Sequence, residues 1–116
     1  MITVYGIKNC NTVKSALDWL KSHNVAFDFH DYKSKGIDAQ RLRKWENQIG
    51  WEKLVNKRGT TWRQLDELTQ QGVKDASSAI QLMMEKTSVI KRPLIERDGQ
   101  VIALGFDEDE YAEAFS

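Results

Sequence analysis

The chain predicts a mixed α/β domain in which a β-α-β opening and a β-β-α close bracket a helical middle. Three observations carry that reading. The apolar run Ile2-Thr3-Val4-Tyr5-Gly6-Ile7 passes into an amphipathic segment from Asn11 through His23, so the apolar period changes from strand-like to helical. From about residue 38 to 88 the apolar spacing stays helical and nothing alternates as a strand would. Near the end, Asp98-Gly99 stands between two apolar runs, a strong signal for a two-residue hairpin turn of the type I′ class.

The elements follow in order. In the first helix Val13, Ala16, Leu17 and Leu20 fall three and four residues apart and form one apolar face, with Asn9 or Asn11 as the expected cap. Val25 to His30 alternates as a half-buried strand, and Lys33-Ser34-Lys35-Gly36 closes it. Asp38 caps a helix with Leu42, Trp45 and Ile49 on its apolar side, ended by Gly50. Trp51 to Val55, a basic break at Asn56-Lys57-Arg58-Gly59-Thr60, a turn around Trp62 to Leu68, and a helix from Ala76 to Lys86 opened by Asp75 complete the middle. The run Val89 to Arg97, in which Pro93 opens the third strand, pairs through the hairpin with Val101 to Gly105, and a helix from Asp107 to Phe115 ends the chain. A β-α-β unit followed by an antiparallel hairpin and a covering helix is the thioredoxin-like arrangement. The expected organisation is a single thioredoxin-like domain over 1–116 with a helical insertion at about 38–88.

Length and composition bound the function. At 116 residues, 41% hydrophobic and 29% charged, the chain is the size of one domain and has neither the composition of a membrane protein nor that of a disordered one. No apolar run approaches a membrane span and no leader pattern opens the sequence, so the expected location is the cytoplasm. Seventeen basic and seventeen acidic residues cancel, which leaves no global field to draw the protein directly onto nucleic acid or membrane. The charge is uneven: basic residues gather between 33 and 63, and Asp107, Glu108, Asp109, Glu110 and Glu113 crowd the last helix, where acids complement its dipole.

Cys10 is the only cysteine. It cannot form an internal disulfide, which fits a reducing compartment and leaves its thiol free. A lone cysteine is commonly a small buried hydrophobe. Its place at the start of a helix argues for more, because free N–H groups and the positive end of the helix dipole favour the thiolate, the form that attacks sulfur. Lys8 and Lys14 flank it as electrostatic helpers, and the N–H groups of Asn11, Thr12 and Val13 are placed to hold an anion. His23 and His30 lack metal-ligand spacing with Cys10, and no metal site, phosphate loop or Ser/His/Asp set is visible. The four tryptophans, with Phe27 and Phe29, read as core or as lining the seam between the insertion and the sheet. Pro93, on residues alone, is a strand-start proline.

Tyr5-Gly6-Ile7-Lys8-Asn9-Cys10-Asn11-Thr12-Val13-Lys14, then Lys91-Arg92-Pro93-Leu94, then Leu104-Gly105-Phe106-Asp107-Glu108 together resemble the ArsC/Spx family, most closely its YffB-like branch. The resemblance implies a thioredoxin fold with a helical insertion and a cis bond before Pro93. It also implies Cys10 as nucleophile and Arg92 as an anion-binding arginine. A second family arginine falls near Asn56 and Arg58; a third, after the last strand in arsenate reductases, has no counterpart in Leu104-Gly105-Phe106-Asp107. Val13 stands where regulators of the Spx kind often carry a second cysteine, so a C-x-x-C switch is not formed. The resemblance therefore implies a glutathione-linked thiol reductase with no bound cofactor and glutathione as co-substrate, with a glutaredoxin as a further partner. The glutathione-binding residues would be Asn11, Thr12, Arg58, Arg92 and Pro93. An RNA polymerase-binding regulator of the Spx kind and a weak arsenate reductase are the alternatives.

Overall fold

A computed structural model describes residues 1–116. In chain order the elements are β1 (Ile2–Gly6), α1 (Asn11–Ser22), β2 (Asp28–Asp31), α2 (Tyr32–Lys35), α3 (Ala39–Ile49), α4 (Trp51–Leu54), α5 (Thr60–Arg63), α6 (Glu67–Gly72), α7 (Ala76–Glu85), a 3-10 turn (Thr87–Val89), β3 (Leu94–Arg97), β4 (Gln100–Leu104) and α8 (Glu108–Ala114). They pack as two compact units, Met1–Lys35 with Arg92–Ser116, and Gly36–Lys91.

The first unit is built on a four-stranded sheet of order β2-β1-β3-β4. β1 runs parallel to β2, with Val4 opposite Phe29, and antiparallel to β3, with Val4 opposite Ile95. The β3–β4 turn places Asp98 at φ 52° and Gly99 at φ 85°, the pair of positive angles a type I′ hairpin requires. Strand alternation sends Ile2, Val4 and Ile95 to one face, where Ala16 and Leu20 of α1 and Tyr111 of α8 close a dry core. Leu20 and Ile95 are fully buried, each contributing about 1.5–3 kcal/mol relative to exposure. This face clamps α1 against β1 and so fixes where α1 begins.

Several boundaries differ from the sequence reading, for local reasons. β2 begins at Asp28 rather than Val25 because residues 24–25 are still ending α1: Asn24 takes φ 59°, its N–H reaches Lys21 O at 3.2 Å, and the Val25 N–H reaches Leu20 O at 2.9 Å, the paired bonds of a Schellman ending. The stretch at 33–36, expected to close β2, lies instead in and just after the short helix α2, where Asp31 Oδ1 accepts the Lys33 N–H at 3.0 Å; β3 begins at Leu94, directly after the Pro93 expected to open it. The expected turn at 62–68 is divided between the end of α5 and the start of α6, because Asp66 captures the Thr69 N–H at 2.7 Å and starts a new helix.

The second unit is helical. Leu42 and Trp45 of α3, Leu54 of α4 and Met83 of α7 are fully buried. Asp38 accepts the Arg41 N–H at 2.8 Å and Gly50 ends α3 at φ 87°. Asp75 and Ser78 form a reciprocal capping box at the head of α7. No helix of the chain is long and apolar enough to cross a membrane.

Candidate active site

β1 ends at Gly6 and α1 begins at Asn11, so the intervening residues carry the chain from the sheet end into the helix. Gly6 is needed here for space: a Cβ on it would stand 2.9 Å from Val13 Cγ2 and 3.5 Å from Phe29 Cε1, closer to Val13 than real side chains approach. The close approach lets Val13, buried to 1% exposure, seat the first turn of α1 directly on β1 and β2.

The residue at the N-cap position of α1 is Cys10 itself, extended at φ −128°, ψ 121°, and no side chain makes a capping bond. The expected asparagine caps are therefore absent: Asn9 lies before the cap position, and Asn11 is already the first helical residue. At an N-cap the side chain is directed at the N–H groups two and three residues on, here those of Thr12 and Val13. The sulfur thus occupies the place of a capping oxygen. Partial burial pushes the thiol pKa up, but the Val13 N–H, a hydrogen bond and the charge of the Arg92 guanidinium, and the Thr12 N–H together outweigh it, and the pKa is lowered. Each of these donors favours the anion over the thiol.

Arg92 comes from the far end of the chain. It immediately precedes β3, which pairs with β1, and the Arg92–Pro93 peptide is cis. The Gly105 N–H donates to Pro93 O at 2.8 Å and Tyr111 Oη donates to Gly105 O at 2.6 Å, so β3's entry is tied to β4's exit and to α8. On the sheet face opposite the dry core lies a polar layer. Tyr5 Oη donates to the buried carboxylate of Glu96 at 3.1 Å, and the Tyr5 ring is 4.9 Å from the His30 ring and 6.3 Å from that of Tyr32. The Tyr32 hydroxyl is buried without a hydrogen-bond partner. Burial raises its pKa, with the Tyr5 hydroxyl and Glu96 adding to the rise while the Arg92 charge opposes it.

Cys10, Thr12, Val13, Arg92 and Pro93 thus belong to one unit, with Thr12, Val13 and Arg92 serving the sulfur. Asn11 is exposed at the first helical position, and Lys8 and Lys14 are exposed on either side. Arg58 belongs to the Gly36–Lys91 unit, where it lines a basic cleft of about 410 Å³ with Lys57 and Lys91, its N–H held by Asn56 Oδ1 at 3.2 Å. The layer of Tyr5, Tyr32 and Glu96 was not anticipated. A buried Glu96 in phase with Leu94 along one strand is a visible signal only once the register of β3 is known.

Comparison with known proteins decides the kinship. Residues 5–114 match the ArsC family. The chain belongs to the ArsC family. A Haemophilus influenzae protein without an assigned function is 50% identical over 116 residues, covering the whole of both chains. A solved YffB protein superposes with a TM-score of 0.93 at 46% identity over the whole of both chains. An arsenate reductase (ArsC) related protein from Brucella melitensis follows at 45% identity and TM-score 0.78, covering 98% of this chain and 93% of the other. The global transcriptional regulator Spx of Streptococcus agalactiae is 30% identical, covering 95% of this chain and 80% of its own length.

Within this ArsC-family chain, the stretch after β4 is occupied structurally. Gly105 sits at φ 83°, Phe106 packs edge-on against Tyr111 at 5.0 Å, and Asp107 accepts the Glu110 N–H at 3.0 Å to start α8. No arginine stands among Leu104, Gly105, Phe106 and Asp107.

Proposed function

We propose that the protein is a glutathione-linked thiol reductase in which Cys10 is the nucleophile. The observation that carries this reading is the sulfur at the α1 N-cap with its pKa lowered by the Val13 N–H, Arg92 and the Thr12 N–H. The thiolate attacks the glutathione sulfur of a mixed disulfide; the Cys10–glutathione disulfide forms as the substrate's S–S bond breaks and its thiolate leaves to take a proton from water. With no second cysteine in the chain, a second glutathione thiolate attacks the adduct, releasing oxidised glutathione and the Cys10 thiolate. Two electrons pass from glutathione to substrate, and atoms balance without a bound cofactor. Thr12 and Val13 N–H groups stabilise the sulfur as charge returns to it, and Arg92, whose planar fork matches a carboxylate, holds glutathione beside it.

Arsenate reduction is less well supported. An arsenate oxyanion calls for several fixed cationic donors, and the stretch after β4 supplies an aspartate instead. The similarity to Spx carries a second reading, a regulator that binds RNA polymerase through its helical unit and for which the thiol is dispensable.

Intact-mass analysis of the protein with oxidised glutathione across pH, beside Cys10→Ser, tests the proposal. A single adduct that forms rapidly below neutral pH, well under the ordinary thiol value of about 8.5, and is absent in Cys10→Ser is the expected result. No adduct, or one that appears only at alkaline pH, would overturn it. Polymerase recovered stoichiometrically from lysate would then favour the regulator.

A further inference from the structure

Along α1, from residues flanking Cys10 in the chain, α1 and the segment entering β2 enclose an open groove of about 400 Å³ that the chemistry above does not use. Its floor is Val13, Leu17, Phe27 and Phe29; Leu17, Phe27 and Phe29 pack against the core with one side and are only half-buried, so part of this apolar strip is open to water. Its rim carries Lys8, Lys14 and Lys21, all exposed, with Asp18 as the opposing acid. Val13 is common to both features, since its side chain floors the groove and its N–H serves the Cys10 sulfur. From Cys10 to Lys21 α1 advances roughly 16 Å at its rise of 1.5 Å per residue, the length of about five residues of extended chain.

Glutathione matches only part of this surface. Its two carboxylates suit the lysine rim, but it has no apolar side chain to cover a floor of two phenylalanines, a leucine and a valine. A mixed disulfide, however, has a second half. We propose that the groove binds that half, an extended segment of a glutathionylated protein in which apolar side chains beside the cysteine lie on Leu17, Phe27 and Phe29 and acidic residues meet Lys14 and Lys21. The proposal rests on the reductase reading and names its substrate class. During the first exchange the segment in the groove is the leaving half: Cys10 forms its bond to the glutathione sulfur, the segment's own sulfur departs as thiolate, and the groove has held the scissile bond in line while that happens. Apolar contact supplies the affinity and the lysine rim supplies the sign preference.

The test uses glutathionylated peptides with Leu-Glu-Phe-Glu after the cysteine, the same peptide with both glutamates changed to lysine, and one with serines in place of Leu and Phe. The small mixed disulfide of glutathione with 2-mercaptoethanol, which has no chain to occupy the groove, is the reference. Wild type is expected to favour the acidic-apolar peptide over the serine peptide by about tenfold in kcat/KM, the low end of what loss of an apolar pocket contact costs. It should also favour it over the lysine peptide, and Lys21→Glu, which leaves two lysines facing two acids on the rim, should remove that charge preference when each peptide is normalised to the small disulfide. Equal kcat/KM for the three peptides, or a charge preference untouched by Lys21→Glu, overturns the proposal. If the small disulfide is not turned over, it is the reductase reading that fails. The groove is then judged by fluorescence polarisation of the labelled acidic-apolar peptide with serine in place of cysteine: binding weakened by Lys21→Glu and by Phe27→Ser keeps the site, and absence of binding removes it. Self-association of the wild type, lost in Lys21→Glu by sedimentation velocity, would give the groove to a second copy of this chain and likewise overturn the assignment.

Discussion

Helices α3, α6, α7 and α8 each open on an aspartate, whose carboxylate accepts an N–H three residues on at 2.8, 2.7, 2.9 and 3.0 Å respectively. Helix α1 opens on Cys10, with no capping bond from any side chain. The same physics acts at both kinds of end. Hydrogen bonds from Thr69 lower the carboxyl pKa of Asp66, those from Ser78 lower that of Asp75, and N–H groups of α1 help lower the thiol pKa of Cys10. The outcome differs with the chemistry of the cap. A carboxylate is ionised throughout the neutral range and satisfies its helix permanently, so those four ends hold structure. A neutral thiol is only a weak acceptor and its thiolate a strong one, so at α1 the same donors act by favouring the anion. At α1 the chain forgoes a good cap, which the proposed role of Cys10 as nucleophile accounts for.

The largest expected effect comes from making α1 like the others. Cys10→Asp should abolish the glutathione adduct completely and raise unfolding stability above that of Cys10→Ala by about 1 kcal/mol, the usual contribution of a capping carboxylate. Denaturant melts beside mass spectra decide it, and a Cys10→Asp protein no more stable than Cys10→Ala would break the comparison.

Arg92→Ala comes next. Losing a hydrogen bond to a charged partner costs about 1.5–3 kcal/mol, so thiolate formation should become roughly ten- to a hundredfold less favourable. The midpoint of the pH profile for iodoacetamide alkylation of Cys10 should move upward accordingly. Linkage gives a second reading of the same residue. Because the folded thiol pKa lies below its unfolded value, the thiolate contributes stability that is fully present above the unfolded pKa and is lost as pH falls through the folded one. The stability of wild type relative to Cys10→Ser should therefore rise with pH across that window, and Arg92→Ala should flatten the rise.

Gly6→Ala tests the packing that seats α1. The added methyl meets Val13 Cγ2 at 2.9 Å, and a β-branched, buried side chain has little freedom to yield. Overpacking of this kind costs about 1–3 kcal/mol, and because the Val13 N–H serves the sulfur, alkylation of Cys10 should slow as well. A stable Gly6→Ala protein with an unaltered thiol would show that α1 is not positioned through this contact. The smallest effect belongs to an ordinary cap: Asp107→Ala should cost about 1 kcal/mol and leave the alkylation profile of Cys10 where it was.

Much of this was legible along the chain because it depends on near neighbours. Period and capping residues located α1, α3, α7 and α8 to within a residue or so, and Asp98-Gly99 marked the hairpin. Cys10 at a strand-to-helix passage was visible in the same way. The misread places are those where a local signal had two uses. Asn9 and Asn11 are both good caps, yet Cys10 takes the position between them. Val25, Ala26 and Phe27 alternate as a strand, yet Asn24 and Val25 are spent on ending α1.

The sequence by itself determined the order of elements, the family kinship carried by its three short motifs, and the presence of a single thiol at the head of a helix, because helix period, turn chemistry and caps act over three or four residues. Only the tertiary structure decided that Arg92, eighty-two positions on, helps to lower the pKa of that thiol, that Glu96 is buried against Tyr5, and that Leu17, Phe27 and Phe29 share one groove with three lysines. Those juxtapositions depend on strand register and on how closely α1 packs on β1, and a one-residue shift in register turns every side chain of a strand to the other face.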